Sequence, residues 1–276
     1  MCYEKIIGIH VILSISVVVK ILLYLIAIII LFPEFASADP AAGIETQFFV
    51  DLGKYFTAPM RWDSGYWTQF GLIASGLYIA SETLDDRWKD EMTNETHPYY
   101  YKGVDKIGDA WGDGRLSGPF LLGVYGYGRW TRDVRYIDAS QDILQTAVYA
   151  GIMGQVLKRV FSRDRPNAAD DEAGWFGSGV SFPSGHSSNA FAVSQSFLNS
   201  LDNPSITTQL LFYGLATSTA LARTYDNAHW ATDTIAGALL GIYTANFVTA
   251  QNKAHRNKRR FVPYIDSKTL GFNMSW

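Results

Sequence analysis

Two of the five histidines in this chain lie near residues whose types suit them to bind and transfer an anionic group. In the segment ARTYDNAHWATD, His229 precedes Asp233 by four residues, and Arg223 lies six residues before the histidine. At this spacing on a helix, the carboxylate lies over the imidazole. It can then hold the proton of one ring nitrogen and leave the other nitrogen unprotonated and nucleophilic, as in a catalytic triad. The same spacing is also typical of a surface ion pair between His and Asp.

The other histidine, His186, lies in the segment SFPSGHSS, just before a stretch with helical character. Pro183 and Ser184 are residue types that begin and cap helices, and this function alone would explain them. Alternatively, the bare amides of Ser184, Gly185 and His186 face an anion, because a helix start offers unpaired N–H groups and a partial positive charge. The segment by itself does not distinguish these interpretations.

A pair of cations precedes both histidines, in the segment KRVFSRDRP. Lys158 and Arg165 are seven residues apart, and seven helical steps of about 100° return to nearly the same face, so both are expected to point into one site. Pro166 is expected to push Arg165 out of helical geometry and to end the segment there. Lys supplies a mobile point charge and Arg a planar fork that matches two phosphate oxygens. An ordinary basic helix end would have the same composition.

Taken together, the three segments contain a set of groups that suits phosphoryl transfer. They supply three cations, a run of exposed amides, and a histidine with a carboxylate behind it. The remaining histidines lie elsewhere: His10 is near the N-terminus, and His97 and His255 are in polar stretches. The three segments must therefore be brought together by the elements that carry them.

The elements predicted from the sequence are mainly helices. Hydrophobic residues make up 48% of the 276 residues and charged residues 18%, which is typical of a packed globular protein. Extended alternating runs are scarce, so we predict an all-α helix bundle. A polar loop is expected over residues 85–103, and a weak hairpin signal surrounds residues 267–268. The predicted helical segments are 61–81, 117–129, 139–161, 186–199, 208–224 and 232–250.

Composition and charge narrow the range of partners. A net charge of -3 argues against nucleic-acid binding. The only cysteine is Cys2, so no disulfide or cysteine-based metal site is expected within the body of one chain. The basic run of residues 253–260 is either a solvated helix end or a contact with lipid headgroups. A mean hydropathy of +0.01 favours a soluble or membrane-peripheral bundle over a multi-span protein.

The N-terminus predicts export. Residues 11–32 are almost wholly apolar, and Ala36-Ser37-Ala38 fits a secretory cleavage site, although the apolar stretch is also long enough for an uncleaved anchor. With either fate the body lies outside the cytoplasm, in the periplasm or at the outer face of the inner membrane. The predicted organisation is a signal or anchor (1–38), an N-terminal extension that packs on the bundle (39–114), a core that carries the three segments (115–252) and a basic C-terminal tail (253–276).

The three segments resemble the signatures of the type-2 phosphatidic acid phosphatase superfamily, which includes bacterial acid phosphatases, membrane lipid phosphatases and vanadium haloperoxidases. The signatures are Lys-x6-Arg-Pro, Pro-Ser-Gly-His and Ser-Arg-x5-His-x3-Asp, and this chain has them in the same order and with the same spacing. One departure is Ala222, which stands where the third signature begins with Ser and affects fine positioning. The resemblance covers about residues 115–250.

The resemblance implies a helix bundle of the acid phosphatase/vanadium haloperoxidase type and a role for each matching residue. His229 would attack phosphorus with Asp233 holding its ring, and His186 would serve as the general acid and base. The groups that would bind the phosphoryl oxygens are Lys158, Arg165, Arg223, the Ser184 hydroxyl and the Gly185 amide.

The implied activity is that of an exported phosphatase that needs no metal or other cofactor. Its substrate is a lipid phosphate or a small soluble phosphomonoester, and a membrane surface is an expected partner. Two alternatives remain open: a haloperoxidase that holds vanadate at the same residues, and a non-catalytic protein that binds phosphate or lipid.

Overall fold

The computed structural model describes residues 44–93, 103–168, 174–266 and 269–274, and the predicted signal or anchor segment lies outside these ranges. A short 3-10 helix at Ala58–Arg61 follows the first helix. The helices are α1 (Ile44–Phe56), α2 (Ser64–Thr83), α3 (Asp85–Thr93), α4 (Val104–Gly112), α5 (Ser117–Thr131), α6 (Val134–Phe161), α7 (Gly185–Ser200), α8 (Ile206–Tyr225) and α9 (Ala231–Arg260). Two strands, β1 (Phe261–Asp266) and β2 (Thr269–Met274), complete the described elements.

Helix α7 is the centre of the bundle. It packs against α9, α6 and α8, and most of its buried side chains are small. Residues such as Ser187, Ala190 and Ser194 are fully buried because neighbouring helices surround them on several sides. The apolar core next to α7 combines larger side chains from four helices, among them Trp111, Ile143, Val193 and Phe212. The predicted all-α bundle is confirmed.

Two glycines on α9 permit the close approach of α9 to α7. A Cβ atom at Gly237 would lie 2.4 Å from the carbonyl oxygen of Ser184, and one at Gly241 would lie 2.4 Å from that of Ser188. Contacts this short essentially never occur for real Cβ atoms. The missing side chains therefore set the distance between the two helices, and with it the position of the start of α7.

The N-terminal region contains helices that the sequence did not predict. The predicted polar loop over 85–103 is wrong for its first part, because Asp85–Thr93 forms α3. Helix α4 contains two glycines, which disfavour helix formation. Both are needed for packing against α8: a Cβ atom at Gly108 would meet the backbone of Ser218 at 2.5 Å, and one at Gly112 would meet Thr219 at 2.4 Å.

The C-terminal region shows a long helix and a hairpin. Helix α9 continues to Arg260, so it passes the boundary expected after residue 252, and the basic run of residues 253–260 is its last part. Strands β1 and β2 pair in antiparallel register, with Asp266 opposite Thr269, in agreement with the weak hairpin signal. Within the part of the chain that the structure describes, no helix combines the length and apolarity required to cross a bilayer.

Candidate active site

The first cation pair lies at the end of α6, but not on one helical face as the spacing predicted. Helix α6 ends at Phe161, and Ser162 follows with a positive φ of 41°, so Arg165 lies in the loop beyond the helix. The expected common helical face of Lys158 and Arg165 is therefore wrong, whereas the predicted end of the helical segment at residue 161 and the position of Arg165 outside helical geometry agree with the structure. Lys158 is buried, and its Nζ donates to the carbonyl oxygens of Val180 (2.6 Å) and Ser181 (3.4 Å).

The start of α7 has the features of both interpretations of the SFPSGHSS segment. Ser184 is the N-cap, and its hydroxyl accepts a long 3.5 Å hydrogen bond from the Ser187 amide. Gly185 is exposed, and a Cβ atom there would meet no protein atom within 4 Å. The Ser184 amide donates to the Asp233 carbonyl oxygen at 2.9 Å, which joins the start of α7 directly to the first turn of α9. The expectation that this amide is bare is therefore wrong, because it already has a partner within the protein.

His229 and Asp233 lie at the start of α9. The histidine precedes the helix by two residues, and its Nδ1 is 3.6 Å from Asp233 Oδ2, an ion-pair distance longer than a hydrogen bond. The same Oδ2 accepts hydrogen bonds from the Ser181 hydroxyl (2.5 Å) and from the Trp230 amide (3.0 Å). Both members of the pair are buried. The interpretation of His229 and Asp233 as an exposed ion pair is therefore excluded.

A buried ion network lies behind the His229–Asp233 pair. Arg163 Nη1 donates to Asp233 Oδ1 (2.7 Å), and Arg163 Nη2 donates to Asp85 Oδ2 (2.7 Å). Asp85 belongs to α3, and its Oδ1 also accepts from the amide of Thr232 (3.0 Å), in the first turn of α9. A carboxylate is stabilised at this position because the first amides of a helix lack partners within the helix.

Arg223 lies on α8 and pairs with two carboxylates. Its Nη1 donates to Asp109 (2.8 Å) and Asp226 (3.1 Å). Its buried Nε has no hydrogen-bond partner among the described residues. The Arg223 guanidinium also acts on His186, where it contributes to a lowered pKa.

Burial and the nearby cations lower the pKa values of three groups at the site, namely His229, Lys158 and His186. Burial is the main cause of the lowered pKa of His229, which falls to about 4 although the contact with Asp233 opposes the shift. Burial, followed by the charge of Arg165, lowers the pKa of Lys158 to about 8. Burial, followed by the charge of Arg223, also lowers the pKa of His186.

The electrostatic contacts indicate that the predicted residues share one site. Arg165 contributes to the lowered pKa of Lys158, of His229 and of His186, so its charge reaches both imidazoles. Asp233 also acts on Lys158. The structure thus brings the three sequence segments together at the starts of α7 and α9, the end of α6 and the end of α8.

A cavity with polar lining residues lies outside this site. This cavity of about 350 Å³ lies at the opposite end of α7, where Gln195, Asn199 and Tyr213 contribute to its lining, and none of the predicted site residues lines it. Among the described residues, no group of three or more His, Cys, Asp and Glu side chains could hold a metal ion.

The sequence did not reveal the residues that hold Asp233. Arg163 lies within the KRVFSRDRP segment, between the two expected cations, and was not identified as a site residue. Ser181 is the first residue of the SFPSGHSS segment, two residues before the PSGH motif. Asp85 could have been found as the first acidic residue of a helix start, since Asp and Glu are enriched in the first helical turn.

The fold and the order of the motifs define a class of all-α proteins with the site at the starts of two neighbouring helices. Residues 142–257 match the family model of the PAP2 superfamily. This segment therefore belongs to the PAP2 superfamily, the type-2 phosphatidic acid phosphatases that the three motifs resemble, and the expected membership is confirmed.

The comparison with solved structures found two similar chains, and the likeness in fold rests on the first of them. A transmembrane PAP2-type phosphatidylglycerolphosphate phosphatase from Bacillus subtilis is 20% identical, with a TM-score of 0.51 over 74% of this chain and 96% of that chain. LpxE from Aquifex aeolicus is 17% identical, with a TM-score of 0.48 over 61% of this chain and 96% of that chain. No curated protein sequence matches this chain.

Proposed function

We propose that this protein is a metal-independent phosphatase that hydrolyses phosphomonoesters, among them lipid phosphates, through a phosphohistidine at His229. The observation that carries the proposal is the state of His229. The ring is buried with Nδ1 towards Asp233, and its pKa of about 4 keeps it neutral at neutral pH. With the single ring proton on Nδ1, Nε2 retains the lone pair that a nucleophile requires.

In the first step, the Nε2 lone pair attacks phosphorus and the bond from phosphorus to the ester oxygen breaks. The leaving alkoxide takes a proton from the protonated imidazole of His186, which becomes neutral. The Asp233 carboxylate stabilises the positive charge that develops on the His229 ring. The products of this step are the free alcohol and a phosphorylated His229.

In the second step, neutral His186 removes a proton from a water molecule as the water oxygen attacks phosphorus. The bond between Nε2 and phosphorus breaks, and its electron pair returns to the His229 ring. Inorganic phosphate leaves, and both histidines regain their starting protonation states. The same imidazole thus acts as acid and then as base, which suits a group that titrates near the working pH.

The phosphoryl oxygens are held by Lys158, Arg165 and Arg223. These cations offset the charge on the equatorial oxygens, so the reaction needs no metal ion. The Nε of Arg223, which has no hydrogen-bond partner in the part of the chain that the structure describes, supplies a donor for one oxygen. The open space at Gly185 lets an oxygen approach the backbone amides at the start of α7, where the helix dipole favours negative charge.

We also propose that the protein is exported and acts at a membrane surface. The apolar segment of residues 11–32 supports export, and the phosphatidylglycerolphosphate phosphatase with a similar fold supports a lipid substrate. Helix α2 carries no charged residue from Ser64 to Ser81 and exposes a row of large apolar side chains, which suits contact with lipid. These side chains are Tyr66, Trp67, Phe70, Leu72, Ile73, Tyr78 and Ile79.

The test of the activity is phosphate release from a generic aryl phosphate in the presence of EDTA. The wild-type protein is expected to turn over, and His229→Ala is expected to lose several orders of magnitude in kcat while it keeps its fold. His255→Ala is the matched control, because this histidine pairs with Asp51 outside the site. Turnover retained in His229→Ala, or wild-type turnover that disappears in EDTA and returns with a divalent metal, would contradict the proposal.

The substrate class requires a separate comparison. Phosphatidate and phosphatidylglycerophosphate in mixed detergent micelles should be hydrolysed with a higher kcat/KM than soluble sugar phosphates. A preference for the soluble esters would leave the phosphatase intact as a proposal and would refute the lipid substrate.

A further inference from the structure

Arg163 lies at the centre of a buried network whose role the proposed reaction does not yet explain. Its side chain is fully buried, and its guanidinium lies 4.2 Å from the centroid of the Trp175 ring and 5.2 Å from that of Trp230. The two aromatic rings pack close to the guanidinium and limit its movement. Its two terminal nitrogens donate to two different carboxylates.

The two oxygens of Asp233 have separate partners. Oδ1 accepts from Arg163 Nη1 at 2.7 Å, whereas Oδ2 accepts from Ser181 and from the Trp230 amide and faces His229 Nδ1. A carboxylate fixed at one oxygen by a rigid donor cannot rotate freely. The contact with Arg163 at Oδ1 and the two donors at Oδ2 therefore together determine where Oδ2 lies relative to the imidazole.

Asp85 fixes the other end of Arg163. Its Oδ2 accepts from Arg163 Nη2 (2.7 Å) and from the Thr232 hydroxyl (2.5 Å), and that same hydroxyl accepts from Arg163 Nη1 (2.8 Å). Asp85 precedes Arg163 by 78 residues and comes from α3, outside the segment that matches the family model. The N-terminal region thus reaches the His229–Asp233 pair through one arginine.

We propose that Arg163 and Asp85 are positioning residues that orient the Asp233 carboxylate and thereby hold the His229 ring with its proton on Nδ1 and Nε2 free. The proposal rests on the proposed function, because it assigns these residues to the nucleophile of that reaction. Neither residue touches the substrate. Their effect is on the tautomer and the orientation of His229, and so on kcat rather than on phosphate binding.

The main test is Arg163→Lys, which keeps the charge but cannot reach both carboxylates with a planar fork. A misplacement of about 1 Å at a catalytic group can cost about 100-fold in rate. We expect kcat to fall about 100-fold, with KM for an aryl phosphate within about threefold of wild type, since the phosphate-binding cations are unchanged. A folded variant with wild-type kcat would overturn the proposal.

The chain offers a matched control in Arg256. This arginine also bridges two carboxylates, Asp138 (3.3 Å) and Asp142 (2.7 Å), but on a different part of α6 and α9. Arg256→Lys is expected to lower the melting temperature as Arg163→Lys does and to leave kcat unchanged. Equal losses of kcat in the two variants, in proportion to their melting temperatures, would show that Arg163 has only a structural role.

A milder variant covers the case in which Arg163→Lys does not fold. Thr232→Val removes the hydroxyl between Arg163 and Asp85 without a change of charge or shape. We expect kcat to fall several-fold and KM to stay the same. A folded Thr232→Val protein with wild-type kcat would count against the proposal.

The tautomer of His229 provides a readout that does not depend on turnover. Nitrogen-15 NMR of the histidine side chains, assigned with His229→Gln, should show the Nδ1-protonated tautomer in the wild-type protein. In Arg163→Lys or Thr232→Val the Nε2-protonated form should appear, and in Arg256→Lys it should not. An unchanged tautomer in all variants would overturn the proposal. If the wild-type protein hydrolyses no ester but the tautomer shifts as expected, the proposed function fails and the positioning role stands.

Discussion

Replacement of Gly237 by alanine tests whether the contact between α9 and α7 sets the geometry of the site. The new Cβ atom would lie 2.4 Å from the Ser184 carbonyl oxygen, 3.1 Å from the Ser187 Cβ and 3.2 Å from the Ser188 amide nitrogen. Ordinary contacts begin at 3.4 Å, so residue 237 and the Ser184 backbone must move apart by about 1.0 Å. A backbone carbonyl cannot rotate away as a flexible side chain does. The start of α7 must therefore shift relative to α9.

The size of the effect follows from this displacement. Forcing an additional methyl group into a packed contact destabilises a protein by about 1–3 kcal/mol. A shift of 1.0 Å at Ser184 moves the adjacent Gly185 amide and His186 relative to His229. Because a misplacement of about 1 Å can cost about 100-fold in rate, we expect kcat/KM to fall about 100-fold.

The assay compares three glycine variants by thermal unfolding and by kcat/KM for an aryl phosphate. Gly241→Ala creates an equally short 2.4 Å contact one turn further along α9, at Ser188, so it should be similarly destabilised but lose less activity. Gly214→Ala, where a Cβ atom meets nothing within 4 Å, should change neither quantity adversely. A Gly237→Ala protein with wild-type melting temperature and wild-type kcat/KM would refute this account of the contact.

The shifted pKa values predict how pH changes activity and stability. For an alkyl phosphate, kcat/KM should rise through pH about 4 as His229 loses its proton. It should fall again as His186, whose pKa lies below 6.5, loses its proton. A flat profile from pH 4 to 8 would contradict both assignments. Inhibition by phosphate should weaken above pH about 8, where Lys158 becomes neutral, and inhibition constants for Lys158→Gln should lack this step. Urea unfolding should show that the protein loses about 3 kcal/mol of its free energy of unfolding as the pH falls from 6.5 to below 4. The reason is that, in this pH range, the unfolded chain protonates His229 and the folded chain does not. An equal loss in His229→Gln would contradict this assignment.

The composition of the site could be predicted from residue types and spacing, whereas its geometry depended on tertiary contacts. Lys158, His186 and His229 were identified because each stands in a short motif next to a polar partner. The seven-residue spacing suggested that Lys158 and Arg165 share one helical face. In fact α6 ends at Phe161, and the charge of Arg165 reaches the site from a loop.

The N-terminal contribution could not be predicted from the pattern of polar and apolar residues. Segment 85–93 is so polar that it indicates a loop, and only Asp85 and Met92 are buried in the helix that it forms. Asp85 is buried because Arg163 and the start of α9 require a carboxylate there, and these partners are 78 and 147 residues away in the sequence. Local pattern contains no information about such a pairing.

The two glycines of α4 also prevented a correct prediction of that helix from the sequence. Gly108 and Gly112 lower the helix propensity of α4, and that helix was not predicted. Each has the backbone or side chain of α8 within 2.5 Å of where its Cβ would lie. The structural advantage of glycine is visible only when the neighbouring helix is in place.

The central claim is that His229 becomes phosphorylated during turnover, and the most direct test uses His186→Ala with an aryl phosphate. A phenolate leaving group needs no proton from His186, but the second step still lacks its base. The phosphoenzyme should therefore accumulate. We predict a burst of phenolate equal to the enzyme concentration and, in the quenched protein, a phosphoryl group on the peptide that contains His229. Steady phenolate release without a burst and without phosphate on His229, or a phosphoryl group on another residue, would contradict the account.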